Sequence, residues 1–241
     1  NAEDWIFRFQ YKRPICNFGS EPMNFFTFQQ ATFRAGWFDT DFALVEMTQN
    51  PVQNSQPTGI HYLGWSRINN PPTSGAIIGH PQGDVMKIVT FDDPAQNNNE
   101  QIAWTLCQFP LRQNFSPINT HWTTMIDNGA LQGGISGGPL FDQDRNIVGQ
   151  IHGGIVGCAP TTGHSGRFDV SWGRDANGNF LPGRDATNSL APWLDPSNTN
   201  AMTTNTIPIP TITGPNHVCT SGSTYTIQNA PQGLHITWQV N

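Results

Sequence analysis

The chain has 241 residues, enough for one large β domain, or for one domain and part of a second. Hydrophobic residues make up 36% and include 8 Trp and 15 Phe, so a sizeable core can be buried. Only 11 Lys and Arg stand against 17 Asp and Glu, for a net charge of −6. That balance excludes a basic surface for a nucleic-acid backbone, and no apolar run is long enough to span a bilayer.

The 24 Gly and 19 Pro favour short strands and turns over long amphipathic helices. Trp5, Phe7, Phe9 and Tyr11, set against Arg8 and Gln10, predict a strand over 4–11. Further strands are expected at 41–47, 75–79, 84–91, 101–107, 120–126, 146–153 and 167–172. Turn signals separate them, among them Asn69-Asn70-Pro71-Pro72, Pro81-Gln82-Gly83 and Asp92-Asp93-Pro94. One helix is expected near 186–194, with Asp185 as its cap and Pro196 just beyond its end. The pattern is all-β, a sandwich or a barrel.

Residues 199–210 carry no charge and read as an extended linker, with 201–210 dividing two domains. Beyond it, Ser223-Thr224-Tyr225-Thr226-Ile227 alternates, and His235–Val240 is strand-like. Residues 211–241 therefore read as a partial immunoglobulin-like or PKD-like β-sandwich module, which stops before such a sandwich closes. Cys16, Cys107, Cys158 and Cys219 allow three full pairings, and the sequence does not choose among them. None forms CxxC, and no histidine stands at metal-ligand spacing. Disulfide partners in a secreted chain are expected, and neither a metal nor an organic cofactor.

Chemistry concentrates in Gly133-Gly134-Ile135-Ser136-Gly137-Gly138-Pro139-Leu140-Phe141. A serine hydroxyl becomes a nucleophile when a base takes its proton, and the oxyanion it creates must meet backbone N–H donors already aimed. Glycines beside the serine let the main chain turn tightly and approach a substrate. Gly134 and Ser136 would supply the oxyanion-hole N–H groups. A Gly-rich turn with an incidental serine is the plain alternative. The full run GxSGGPLF, followed by the apolar strand Asn146–Gly154, is more specific than that.

This run resembles the chymotrypsin-like serine proteases, and in particular the secreted bacterial lysyl endopeptidases. The likeness includes Asp39–Glu46, Ser74–Pro81, Gly149–Cys158, Gly166-Arg167-Phe168 and Ala191–Pro196, and it covers roughly residues 1–200 by pattern. It implies a trypsin-like double β-barrel over 1–200 with the first barrel incomplete and a short C-terminal helix. Asp41, opening an apolar Asp-Phe-x-Leu strand, matches the triad aspartate that orients the base imidazole, with Asp39 as the fallback. His152, Gly153 and Gly154 match the strand that lines the substrate cleft, where the glycines would leave the pocket entrance open. Extended substrate could pair with 151–154. Ala130 and Gly163 match positions of the primary pocket. Trp65 and His80 match residues near the site, where they pack together to shape the cleft or serve simply as core and loop.

The family's base histidine precedes its aspartate, whereas the seven histidines here begin at His61. The expectation is a chain lacking its N-terminal strands and catalytic histidine, with little peptidase activity as it stands. The resemblance pairs Cys16 with a cysteine beside that missing histidine, and Cys158 with one near the mature N-terminus. Lysyl members place a carboxylate in the primary pocket, and none stands at Ala130 or in Thr161–Ser165, so a preference for lysine is in doubt. Ile135 cannot make the ion pair with a new N-terminus that activates many animal trypsins. The expected function is a secreted, monomeric serine endopeptidase acting on polypeptides through an acyl-enzyme. The alternatives are a pseudoprotease or adhesin-like binding module, and an α/β-hydrolase esterase, since Gly134–Gly138 also satisfies GxSxG.

Overall fold

A computed structural model of the chain describes residues 2–13, 25–51, 60–105, 113–208, 211–213 and 226–228. Seven antiparallel strands form the main sheet, in the order Lys87–Phe91, Gly75–Gly79, Pro139–Phe141, Ile147–Gly154, Thr161–Arg167, His121–Ile126 and Gln96–Asn97. The sheet curls on itself: Thr90, on the first of these strands, bridges Asn128, just past the end of His121–Ile126. Ile77, Val89, Phe91, Trp122, Ile126, Leu140, Val148 and Ile151 together fill one buried core, with a register shift opposite Leu140–Phe141 letting Val148 and Ile151, three residues apart, both join it. The fold is all-β, as expected. Only two short α-helices, Phe168–Trp172 and Ala191–Leu194, occur among the described residues.

Two separate hairpins precede the sheet, Ile6–Phe9 with Phe26–Gln29 and Ala31–Trp37 with Phe42–Met47. The second packs through Ala35 and Phe42 onto a smaller core of Trp65, Phe168, Trp172, Leu190 and Ala191. Aromatic stacking organises that cluster. The Trp65 ring lies 5.4 Å from Phe168 and 4.9 Å from Trp172, centroid to centroid.

The strand expected at 167–172 is instead the helix Phe168–Trp172, and the strand lies just before it, at Thr161–Arg167. The alternation of Phe168, Val170 and Trp172 mimics a strand. Ser171 Oγ, however, donates back to the Arg167 carbonyl at 2.7 Å, and Gly173 ends the turn in the left-handed region at φ 79°. The helix expected at 186–194 shrinks to Ala191–Leu194. Asp185 does not cap it, because its carboxylate closes a local turn on the Thr187 N–H at 2.7 Å.

The charge-free segment after residue 199 is extended, yet it lies hydrogen-bonded along 61–67. Arg67 N–H donates to the Met202 carbonyl and Thr204 N–H to the Trp65 carbonyl, both at 2.9 Å, and Ile207–Pro208 pairs with His61–Tyr62. Packed chain thus continues past the expected boundary at residue 200. Of the expected sandwich module, Thr211–Thr213 and Thr226–Gln228 form a short antiparallel pair, and the remainder lies outside the described residues. Cys16, Cys107 and Cys219 also lie outside them, and Cys158 is exposed without a disulfide among them.

Candidate active site

Asp41 sits at the turn between Ala31–Trp37 and Phe42–Met47, at φ 56°, a left-handed conformation that aspartate tolerates better than most residues. Fully buried Thr40 seats this turn on the sheet. Its carbonyl accepts from Gln150 Nε2 at 2.8 Å, and its hydroxyl is hydrogen-bonded to Ser171 Oγ at 2.9 Å. Residues two apart on a strand face the same way. Gln150 grips Thr40, and His152 meets Asp41, with Nε2 3.4 Å from Oδ2.

Ser136 stands on a loop anchored on both sides. Ile135 is buried, Gly137 N–H donates to the Ile151 carbonyl at 2.7 Å, and Gly138 N–H to the Ile135 carbonyl at 3.0 Å. Gly134 and Gly137 take φ of 90° and 85°, where a side chain would be strained, and a Cβ on Gly134 would lie 2.6 Å from the Gln82 nitrogen. Ser136 is exposed, and its Oγ donates to the His152 carbonyl at 3.0 Å. The Gly134 and Ser136 N–H groups have no acceptor among the described residues, so both donors are open to an oxyanion. The loop runs into the strand Pro139–Phe141. An α/β-hydrolase elbow requires a helix there, and that alternative is excluded.

Ser136, Asp41 and His152 are therefore brought together, but the His152 ring does not face the serine. Its Nε2 meets Asp41, and its Nδ1 is 3.0 Å from His121 Nε2. Trp104, from the strand Ile102–Thr105, stacks on the same ring with centroids 3.7 Å apart and planes at 25°. Burial, with His164 nearby, pushes His152 down to about 4. Burial, then His152 and His164, pushes His121 down to about 3. Burial also lowers His164 and raises Asp41 above the usual carboxylate range. The three imidazoles are neutral at pH 7.

The remaining expected residues take varied places. His80 lines an open cavity of about 550 Å³ together with Gly134, Ser136, Ile78 and Met86. Its Nδ1 is 3.0 Å from the Asp84 carbonyl. Trp65 does not pack with His80. It is held in the smaller core by Phe168 and Trp172. Ala130 pairs with Cys158, and Gly163 lies beside Thr124, Ile126 and Ile151. Gly153 and Gly154 do not simply leave an open entrance. A Cβ on Gly153 would lie 2.8 Å from the Trp104 ring, and one on Gly154 would lie 2.7 Å from Leu131 Cδ2. Ile151 still bonds the Ser136 loop on its other edge, through Gly137 N–H and the Gly138 carbonyl, and only from Gly153 on does Ile147–Gly154 pair with Thr161–Arg167 alone among the described residues, leaving that edge for an extended chain. No group of His, Cys, Asp and Glu able to hold a metal ion occurs among the described residues. Likewise, none of their helices is long and apolar enough to cross a membrane.

The sequence reading did not single out Trp104 or His121. His121 lies 31 residues from His152, and only the strand order joins them. The one sequence hint was a tryptophan and a histidine, each on a predicted strand.

Residues 1–169 match the family model of the lysyl endopeptidase C-terminal domain. Among solved structures, the active form of the Rv3671c protease from M. tuberculosis is 16% identical over 70% of this chain and 69% of that one, with a TM-score of 0.39. Its inactive form is 18% identical over 60% and 67%, with a TM-score of 0.35. A serine-to-alanine mutant of the inactive form, from strain H37Rv, is 18% identical, and this chain covers 60% of it at a TM-score of 0.32.

Proposed function

We infer, from a chain that belongs to the lysyl endopeptidase C-terminal domain family, that it is the core of an exported serine endopeptidase with Ser136 as nucleophile. The observation that carries this reading is the convergence of Ser136, its two open N–H donors and Asp41 on the single strand Ile147–Gly154. Ser136 Oγ would bond to the scissile carbonyl carbon while its proton passes to an imidazole oriented by Asp41. The oxyanion would be held by the N–H groups of Gly134 and Ser136. On its collapse the amine departs with the proton and leaves an acyl-enzyme, which water then hydrolyses.

Four histidines have described side chains, and none offers a ring nitrogen to Ser136. His80 is bound to the Asp84 carbonyl, His121 and His152 to each other, and His164 to Thr123 Oγ1. In this reading the base is a histidine other than these four, and the family resemblance implies one that precedes Asp41 in chain order. Without it the chain turns over slowly, by a factor on the order of 10⁴ or more. Ala130 and Gly163 bring no carboxylate to balance a desolvated ammonium, so a preference for lysine at the cleaved bond is not part of this reading. Export is supported by the low charge and four scattered cysteines of a turn-rich chain.

A fluorophosphonate probe tests the reading. A chain extended upstream to include the histidine should be labelled, and Ser136→Ala should abolish labelling. Labelling that survives Ser136→Ala, or a histidine-bearing chain that never labels, would overturn it in favour of a catalytically silent binding module.

A further inference from the structure

Behind the strand that joins Ser136 to Asp41, a line of hydrogen bonds runs into the barrel, and its far end fixes the position of each proton. Thr120 Oγ1 lies 2.6 Å from the Pro117 carbonyl, which can only accept, so the hydroxyl proton is spent there. The same oxygen is 2.8 Å from His121 Nδ1 and must therefore accept from it. His121 is neutral and fully buried, so with Nδ1 protonated its Nε2 is bare. That bare nitrogen accepts from His152 Nδ1 at 3.0 Å. Neutral His152 is then left with an unprotonated Nε2, and this is the atom that faces Asp41 Oδ2 at 3.4 Å.

We propose that His121 is a positioning residue for Asp41: it locks His152 in the Nδ1–H form, so that the carboxylate meets a lone pair there and not a donor. This rests on the reading of Asp41 as the residue that orients the base imidazole. A carboxylate denied a donor on one oxygen is a stronger acceptor on the other, so the lock strengthens the hydrogen bond Asp41 accepts from the base.

The surroundings hold the lock in place. Asn98 Oδ1 accepts from the backbone N–H groups of both Thr120 and His121, at 2.9 and 2.8 Å, and its Nδ2 donates to the Pro117 and Glu100 carbonyls. Trp104 covers the His152 ring and donates its own N–H to Ser116 Oγ at 2.8 Å. The titratable groups facing His152 among the described residues are Asp41 from the hairpin, His121 from its strand and His164 from Thr161–Arg167. Against that order stands only the Asp41 carboxylate, as an acceptor for a proton on Nε2, and its 3.4 Å contact is longer than the 2.6 Å at which the Thr120 hydroxyl meets the Pro117 carbonyl.

Nitrogen-15 correlation spectra of the imidazole rings, recorded on the 241-residue chain at neutral pH, read each tautomer directly. The expected result is a protonated Nδ1 and a bare Nε2 on both His121 and His152. Thr120→Val removes the acceptor for His121 Nδ1. It should reverse the relay, giving His152 an Nε2–H that donates to Asp41 and lowering the Asp41 pKa, whereas Thr120→Ser should retain the wild-type tautomers. A wild-type His152 carrying its proton on Nε2 would overturn the proposal without any variant. So would a natively folded Thr120→Val chain whose His152 tautomer does not change. Proton placement is read whether or not Ser136 reacts, so failure here is distinct from failure of the probe-labelling test.

Discussion

Trp104 lies flat on His152, with ring centroids 3.7 Å apart, and Gly153 makes the contact possible because a Cβ at that position would stand 2.8 Å from the tryptophan ring. The absent side chain serves the protein's own aromatic cover, and with it the shielding of a ring that touches Asp41.

Gly153→Ala should therefore lift Trp104 off the imidazole. Loss of the stack costs about 0.5–1.5 kcal/mol, measurable by denaturant unfolding. The near-UV circular dichroism of the tryptophan should weaken in parallel. An unchanged spectrum would show that the ring does not depend on that gap.

Gln150→Ala should loosen Asp41 without touching it. The variant leaves the buried Thr40 carbonyl without its side-chain donor, a loss of about 1–3 kcal/mol. A misplaced orienting carboxylate costs roughly 10- to 100-fold in rate. Fluorophosphonate labelling of a chain bearing the upstream histidine would read that loss, with binding of a reversible peptide inhibitor changed much less.

Stability should fall as the pH drops from about 6.5 towards 4. His121, His152 and His164 are all depressed in the folded state, so the unfolded chain binds more protons throughout this window. Each proton taken up preferentially by the unfolded chain costs at most about 1.4 kcal/mol per pH unit. The depressed carboxylates Asp84, Asp175, Asp185 and Asp195 act only at lower pH, because their unfolded reference is 3.8. Asp41, which is raised, works in the opposite direction. Urea unfolding at several pH values checks this, and His121→Phe should flatten the slope.

Arg167→Lys should destabilise the fold despite keeping the charge. The guanidinium is 3% exposed. It pairs with Asp169 through two nitrogens, donates to Asn69 Oδ1 at 2.6 Å, and lies 4.2 Å from the centre of the Trp122 ring. An ammonium cannot reproduce the planar fork, and stranding its partners costs about 1–3 kcal/mol. Thermal unfolding would register it.

The shape of the Ser136 loop was legible in the sequence, because Gly134, Ser136, Gly137 and the strand that follows are contiguous and the two glycines have a local backbone reason. Asp41 stood out only through the resemblance, since a polar residue opening an apolar strand is by itself an ordinary solvated turn residue. The histidine relay was not, since Thr120–His121 and His152 meet only after Thr161–Arg167 inserts between their strands. Phe168–Trp172 misled because alternating aromatics fit either period, and the hydroxyl of Ser171 and the left-handed Gly173 decide for the helix. Trp65 and His80 are near each other only in pattern. Burying three aromatic rings together took Trp65 into the smaller core.

The tail from Ala201 to Pro208 works as a strap. It gives its carbonyls to the backbone and side chain of Arg67 and a hydroxyl to the N–H of Gly64, and its own N–H at Thr204 returns to Trp65. Trimming the chain at residue 200 would strip an edge from the segment that carries Trp65 and expose the floor beneath Phe168 and Trp172. The smallest piece able to keep that floor closed must therefore reach at least to Thr206.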